Sequence, residues 1–312
     1  MTTIAVDLGG SRIKTALIHD GVVQDSAIIP IDAMRGVEHA LTVIEPEIAR
    51  LRGIREPVGI GLAFPGLVDP FRKAVISVNG KFEDAPGFSF TGWAREQYGL
   101  PLVLENDANA ALVGELQYGC GMGCDNAVLM ILGTGIGTAA MLQGHLLRGK
   151  HFQAGCLGGH LPVASLATGR ACTCGSRGCA EAVGGTWALA GIAGEHKDFA
   201  NSALSREAVI DYEALFRLAE AGDALATELL AESIDAWSTC AVGLIHAYDP
   251  DMLILSGGVT RAGARLTKPI GDSIEAYAWT PWGKVALRVA QNPEHSVLLG
   301  VHHLLIKEMA GE

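Results

Sequence analysis

Residues 3–18 read TIAVDLGGSRIKTALI, and the same pattern returns at residues 128–142 as VLMILGTGIGTAAML. Each stretch is an apolar run, a glycine-rich bend and a second apolar run. A short polar turn follows, Asp20-Gly21 in the first and Gln143-Gly144 in the second. This predicts two β-hairpins with glycine in the bend. Such bends expose successive backbone N–H groups as an anion nest, and the hydroxyls of Ser11 and Thr134 add donors, so two of them facing each other can hold a triphosphate. Neither bend ends in the G-K-[ST] of a Walker loop, and each lies between strands rather than at a helix start, which argues against a Rossmann site. Two ordinary glycine-rich β-turns would explain either bend taken alone.

Working outward, Val37–Leu51 has amphipathic helical spacing interrupted by Pro46, a residue that kinks or restarts a helix. Val58–Phe64 is a buried-strand pattern ending in Pro65-Gly66 and Val68-Asp69. Asn79–Gly92 reads as a polar, glycine-containing loop in which Asn79 and Lys81 are solvated or reach a ligand. The strand pattern Leu100–Leu104 empties into Glu105-Asn106-Asp107-Ala108-Asn109-Ala110 and a helix running through Leu116. In an open α/β sheet, ligands collect beyond the carboxyl ends of strands, so Asp107 stands where a catalytic base is expected. A helix N-cap explains Asn106 or Asp107 equally well. Later, Thr186–Ala193 and Tyr212–Tyr248 have helical spacing, with Trp187 and Trp237 expected in the core. Met252–Leu255 is a strand closing in Ser256-Gly257-Gly258-Val259, and His295–Met309 has helical periodicity that returns it to the N-terminal domain.

Between these lies HLPVASLATGRACTCGSRGCAE, residues 160–181, with Cys172, Cys174 and Cys179 close together and His160 upstream. Four Cys or His ligands close a tetrahedral structural Zn²⁺ site. A disulfide is the alternative, but Cys172 and Cys174 have one residue between them and would bridge only under strain. Cys120, Cys124, Cys156 and Cys240 are unassigned, the first two read as free thiols in a loop.

The chain has 312 residues, 49% of them hydrophobic, enough for two domains. The expected division is residues 1–107, joined by a C-terminal helix at about 295–312, against 108–294 carrying the cysteine loop. A net charge of −11 without a basic run makes nucleic acid a poor candidate for a direct partner and favours small ligands, so no nucleic-acid partner is expected. The N-terminus lacks a signal-peptide pattern and no apolar run is long enough to cross a membrane, so the expected location is cytoplasmic, with no membrane partner.

Taken together, the two hairpins, Pro65-Gly66-x-Val68-Asp69, E-N-D-A-N-A-A, Gly159-His160, C-x-C-G-x-x-G-C-x-E and Gly257-Gly258-Val259 occur in the order found in the ROK family of repressors and sugar kinases, which the chain resembles along nearly its whole length. The resemblance implies a two-domain, actin-like ATPase (ribonuclease H-like) α/β fold with an active site in the interdomain cleft. It implies an ATP-dependent sugar kinase acting on a hexose hydroxyl, the 6-OH being the natural choice, with Asp107 as general base. Sugar contacts carry over to Gly66, Asn106, Asp107, His160 and Glu181. Contacts to MgATP carry over to Asp7, Gly9, Gly10, Ser11 and Lys14 of the first hairpin, to Gly133, Thr134, Gly135 and Gly137 of the second, and to Gly257 and Gly258. Asp7 would position Mg²⁺ through water, and domain closure would exclude water from the site. Structural Zn²⁺ falls to His160, Cys172, Cys174 and Cys179, and a homodimer or homotetramer is implied by analogy. A sugar-sensing ROK regulator is the competing class. Its winged helix would have to precede a hairpin that here starts at residue 3, which favours an enzyme. A structural or chaperone-like actin relative would have no use for Asn106, Asp107 and Glu181 together.

One departure stands out. ROK glucokinases read A-G-E-x-G-H before the cysteines, whereas this chain reads Ala154-Gly155-Cys156-Leu157-Gly158-Gly159-His160, one residue longer. Cys156 or Leu157 takes the glutamate's place, so no carboxylate stands there under either alignment.

Overall fold

In the computed structural model, which describes residues 1–311, β1 (Thr2–Leu8) is buried on both faces except at Asp7. It pairs antiparallel with β2 (Arg12–His19), Asp7 lying opposite Lys14, so the first hairpin forms about its glycine bend. β2 pairs in turn with β3 (Val22–Pro30). On the other side β1 runs parallel to β4 (Ile60–Phe64), and β4 parallel to β7 (Leu102–Asn106), giving the order β3-β2-β1-β4-β7. A small hairpin, β5 (Leu67–Asp69) with β6 (Ala74–Ser77), follows β4. The second sheet repeats the plan. β8 (Ala127–Leu132) pairs antiparallel with β9 (Ile136–Leu142) and parallel with β11 (Met252–Ser256), flanked by β10 (His145–Leu146) and β12 (Ala286–Val289). The sequence repeat is therefore a repeat of topology: a glycine-bend hairpin whose first strand also pairs with a parallel strand.

The chain separates into two compact units. One comprises Met1–Gly123, Arg148–Ala154 and the C-terminal segment from Ala290; the other comprises Cys124–Leu147 and Gly155–Val289. In the first, α1 (Val37–Ile54) buries Leu41, Ile44, Ile48 and Leu51 against Ile4, Val6, Leu62 and Phe64 of the sheet. Pro46 is accommodated within that single helix. In the second, α4 (Ala180–Gly184), α5 (Thr186–Glu195), α6 (Tyr212–Glu220), α7 (Ala224–Tyr248) and α8 (Ala264–Tyr277) surround the sheet, and Trp237, Leu229 and Leu215 pack with Val128, Met130, Leu253 and Leu255. Trp237 is fully buried, but Trp187, expected in the core, is 39% exposed because its indole turns toward a polar partner. Among the described residues, no helix is long and apolar enough to cross a membrane.

Several elements carry little sequence signal. β3 alternates exposed and half-buried residues without a fully buried position, the mark of an edge strand. α2 (Phe90–Tyr98) is short and contains Gly92; its signals are its ends, Ser89 accepting from the Gly92 N–H and Gly99 in a left-handed C-cap.

The other face of the first sheet is lined by small residues, Ala5, Ala16 and Ala63, which admit α3 (Asp107–Tyr118) and α9 (Ser296–Ala310) at close range. The two helices meet backbone to backbone. A Cβ on Gly300 would overlap the Ala110 carbonyl oxygen, and one on Gly114 the Ser296 carbonyl oxygen. This is why α3 stays with the first unit through Gly123 and the units do not divide after Asp107. Gly300→Ala is therefore expected to cost about 3 kcal/mol, since the helices must separate. Gly53→Ala, in open space on α1, is expected to be neutral or to stabilise by up to about 1 kcal/mol. Urea denaturation midpoints of the two variants check the contrast.

Candidate active site

The carboxyl end of β7 delivers Glu105, Asn106 and Asp107 in succession. Asn106 is the N-cap of α3: its Oδ1 accepts from the Asn109 N–H at 3.0 Å. Its amide donates to the Gly66 carbonyl at 3.0 Å and to Asp107 Oδ1 at 2.9 Å. The Ala108 N–H also donates to Asp107 Oδ1, at 2.8 Å. Capping thus falls to Asn106, and the bonds that aim Asp107 gather on one carboxylate oxygen. Burial raises the pKa of Asp107, opposed by the Ala108 N–H and by the charge of Lys81.

Glu105 points the other way and is 1% exposed. Arg148 closes on it with two bonds of 3.0 and 2.6 Å, and the Asn106 N–H and Asn109 amide supply two more donors. The local sequence carries no sign of this pair, because nothing links Arg148 to a strand more than forty residues away.

At the end of β1, burial pushes the Asp7 pKa up to about 7, with the Asp107 charge adding and Lys14 and Arg12 opposing. Lys14, expected at the nucleotide, forms an ion pair with Glu294 at 2.9 Å. The bend Gly9–Ser11 is tied through its carbonyls: Ala33 donates to Gly10 and Ile31 to Ser11. The N–H groups of Gly10 and Ser11 make no hydrogen bond among the described residues. The first unit thus brings together Asp7, Gly9–Ser11, Gly66, Asn106 and Asp107.

In the second unit the bend Gly133–Gly135 is anchored by the start of α5. Thr186 donates to Gly133 O through its N–H and, at 2.8 Å, its hydroxyl, and the Trp187 N–H donates to Thr134 O. Gly137 lies within β9, paired with Ile131, beyond the bend itself. Gly257, with φ of +92°, turns β11 against the end of β8, and Gly258 opens the following 3₁₀ turn. Glu181, expected at a sugar, lies against this bend: its Oε2 accepts from the Ile136 N–H at 2.9 Å and its Oε1 from the Trp187 indole at 3.3 Å.

His160 ends a 3₁₀ turn, Gly158–His160, and its Nδ1 lies 3.5 Å from Cys172 Sγ, while Cys174 Sγ lies 3.7 Å from Cys179 Sγ. All four ligand atoms are within 4.8 Å of one another. A tetrahedral zinc with Zn–S of about 2.3 Å and Zn–N of about 2.0–2.1 Å requires S···N of about 3.5 Å and S···S of about 3.8 Å. The donor set fits such an ion, and no disulfide forms among the described residues.

The sequence profile of the ROK family matches residues 3–308. The chain belongs to the ROK family. It is 29% identical to a glucokinase of Thermotoga maritima over 99% of this chain and 98% of that one. It is 33% identical to a glucokinase of Halalkalibacterium halodurans over 88% and 86%. Among solved structures, a ROK family glucokinase from Streptomyces griseus in complex with glucose and AMPPNP superposes with a TM-score of 0.82 at 27% identity, covering 97% of this chain and 99% of that one. The two glycine-bend sheets of this ROK protein are those of the actin-like ATPase fold.

Proposed function

We propose that this ROK protein, an ATP-dependent sugar kinase, transfers the γ-phosphoryl group of MgATP to a hydroxyl of a hexose or hexose derivative, the 6-OH, with Asp107 as general base. The observation that carries this reading is the division of labour at β7. Asn106 has taken over the helix cap, so a half-buried carboxylate is held at a strand end with, among the described residues, no hydrogen bond on its Oδ2. Asp107 accepts the acceptor proton there, and the bonds to Oδ1 fix its direction. Asn106 and the Gly66 backbone border the same point and bind the sugar with it. Bound Mg²⁺ would neutralise phosphate charge, with Asp7 holding its water shell. The open N–H groups of Gly10 and Ser11, with the second bend and Gly257-Gly258, suit phosphate and nucleotide.

A structural zinc held by His160, Cys172, Cys174 and Cys179 would leave His160 Nε2 for a sugar hydroxyl and fix the loop that leads into Glu181. The sugar is not plain glucose in this reading. Cys156 or Leu157 replaces the glutamate of ROK glucokinases, and three of the loop's carbonyls already accept hydrogen bonds. Gly155 O accepts from Thr138, Leu157 O from His160, and Gly158 O from Leu161 and the Cys240 thiol. A lost bond to a charged acceptor is worth roughly 1.5–3 kcal/mol, or about 10- to 100-fold in affinity.

Asp107→Asn is expected to bind ATP and sugar normally while turnover falls by about 10²-fold or more. The wild-type rate should fall on the acid side, above the ordinary carboxylate range, because the base must be ionised and burial raises its pKa; the value belongs to the Asp7–Asp107 pair. Retained turnover in the Asn variant removes Asp107 from the role. A coupled ADP assay over a sugar panel tests the substrate. A modified or epimeric hexose or a cyclitol should outperform glucose, and glucose as the best substrate with sub-millimolar half-saturation would return the protein to glucokinase. Elemental analysis of chelator-free protein is expected to find one zinc per chain; its removal should lower the melting temperature first and activity in consequence.

A further inference from the structure

The segment around Lys81 reads as a solvated loop in sequence, yet it is mounted on the core of the first unit. Phe82 is fully buried, its ring 5.5 Å from that of Phe64, and its N–H donates to Ala33 O at 3.2 Å. Its φ is +53°, a left-handed backbone that a bulky side chain rarely adopts. Two residues on, Asp84 accepts the first N–H of α1, from Val37, at 2.9 Å to each oxygen. Both anchors hold Lys81 from one side, and strain of this kind persists where the surroundings dictate one conformation.

Lys81 itself extends over the first glycine bend. A Cβ on Gly10 would stand 2.7 Å from Lys81 Cε and 2.8 Å from its Nζ, so the side chain occupies the space that glycine leaves. Lys81 is half-buried, and among the described residues its ammonium makes no ion pair or hydrogen bond. Of the other cations of this region, Lys14 pairs with Glu294 and Arg148 with Glu105, while Arg12 is exposed. The Lys81 charge acts on the Asp107 carboxylate. An unpaired cation held over a bend with open N–H groups, on the side of the base, matches an anion that arrives with the substrate.

We propose that Lys81 is a catalytic residue whose ammonium meets the γ-phosphoryl oxygens during transfer; this rests on the phosphoryl-transfer reading above. As the sugar oxygen bonds to the γ-phosphorus, the bond from that phosphorus to the bridging oxygen breaks and its electron pair leaves with ADP. The hydroxyl proton goes to Asp107. Lys81 keeps its protons throughout and acts by charge and donated hydrogen bonds, which strengthen as charge moves onto the transferring group. The bland alternative is a stem packed on Gly10 with its amine in water. The two differ in what removing the charge does.

The test compares Lys81→Met and Lys81→Arg with wild type, using the best sugar of the panel, for kcat, both KM values, sugar affinity by calorimetry and melting temperature. The Met variant should lose about 10²- to 10³-fold in kcat with sugar affinity unchanged, and the Arg variant should recover at least about tenfold of that loss. A Met variant within about threefold of the wild-type kcat overturns the proposal, as does a loss confined to the KM for ATP or matched by lost sugar affinity. An Arg variant as slow as a folded Met variant also overturns it, and if the Met variant fails to fold, an Arg variant that folds yet falls about 10²-fold or more below wild type in kcat does so. If wild-type protein phosphorylates no sugar in the panel, the kinase reading fails and Lys81 falls with it; an active wild type beside an unaffected Met variant removes Lys81 alone.

Discussion

The pairing of Glu105 with Arg148 fixes the ground on which the first unit's polar cluster stands. A carboxylate 1% exposed is costly to bury, and it is tolerated here because a bidentate guanidinium and two amide donors satisfy it. The pair brings Arg148–Ala154 into the first unit, although its neighbours in the chain on both sides belong to the second. It also locks the backbone immediately before Asn106. At the far end of α3 a second buried carboxylate, Glu115, accepts from the N–H groups of Cys120, Gln291 and Asn292 and from the Ser296 hydroxyl. The helix that starts at Asp107 is thus fastened at both ends by carboxylates that bind other segments, and its middle is fixed by direct contact with α9.

That rigidity serves electrostatics. Asp7 and Asp107 are both desolvated and so harder to ionise, and the Asp107 charge adds to the burden on Asp7. Only fixed donors keep such groups available: the Ala108 N–H and the Asn106 amide at Asp107, and the cations Lys14 and Arg12 near Asp7. In the second unit the same economy appears at Glu181, whose two oxygens are met by a bend N–H and an indole N–H.

How much of this could be read in the sequence depended on range. The two hairpins, the buried strand before Pro65, the strand ending in Glu-Asn-Asp and the cysteine loop declare themselves through local pattern, and their elements stand where those patterns lie. Legibility failed where partners are distant. Nothing in Arg148 names Glu105, nothing in Glu115 names Asn292, and Trp187 looks like any core tryptophan until its indole is seen to have a carboxylate to bond. β3 and α2 were silent because an edge strand needs no apolar alternation and a short helix is defined by its caps. The N-cap and catalytic readings of Asn106-Asp107 could not be separated from spacing alone, since they differ only in which of two adjacent side chains turns back on the helix.

The interlocking of chain ends has a consequence for synthesis. β1 and α9 are far apart in the chain, 299 positions separating Thr3 from His302, yet they are joined by contacts as specific as the Thr3 hydroxyl on His302 at 2.7 Å. The first unit's sheet is therefore uncovered on one face until α9 has been made, while the second unit, whose residues all precede Ala290, has its segments available earlier. β1 is made long before the helix that covers it, so the half of the molecule that holds Asp107 is closed by α9 only after the segments of the other half have been made.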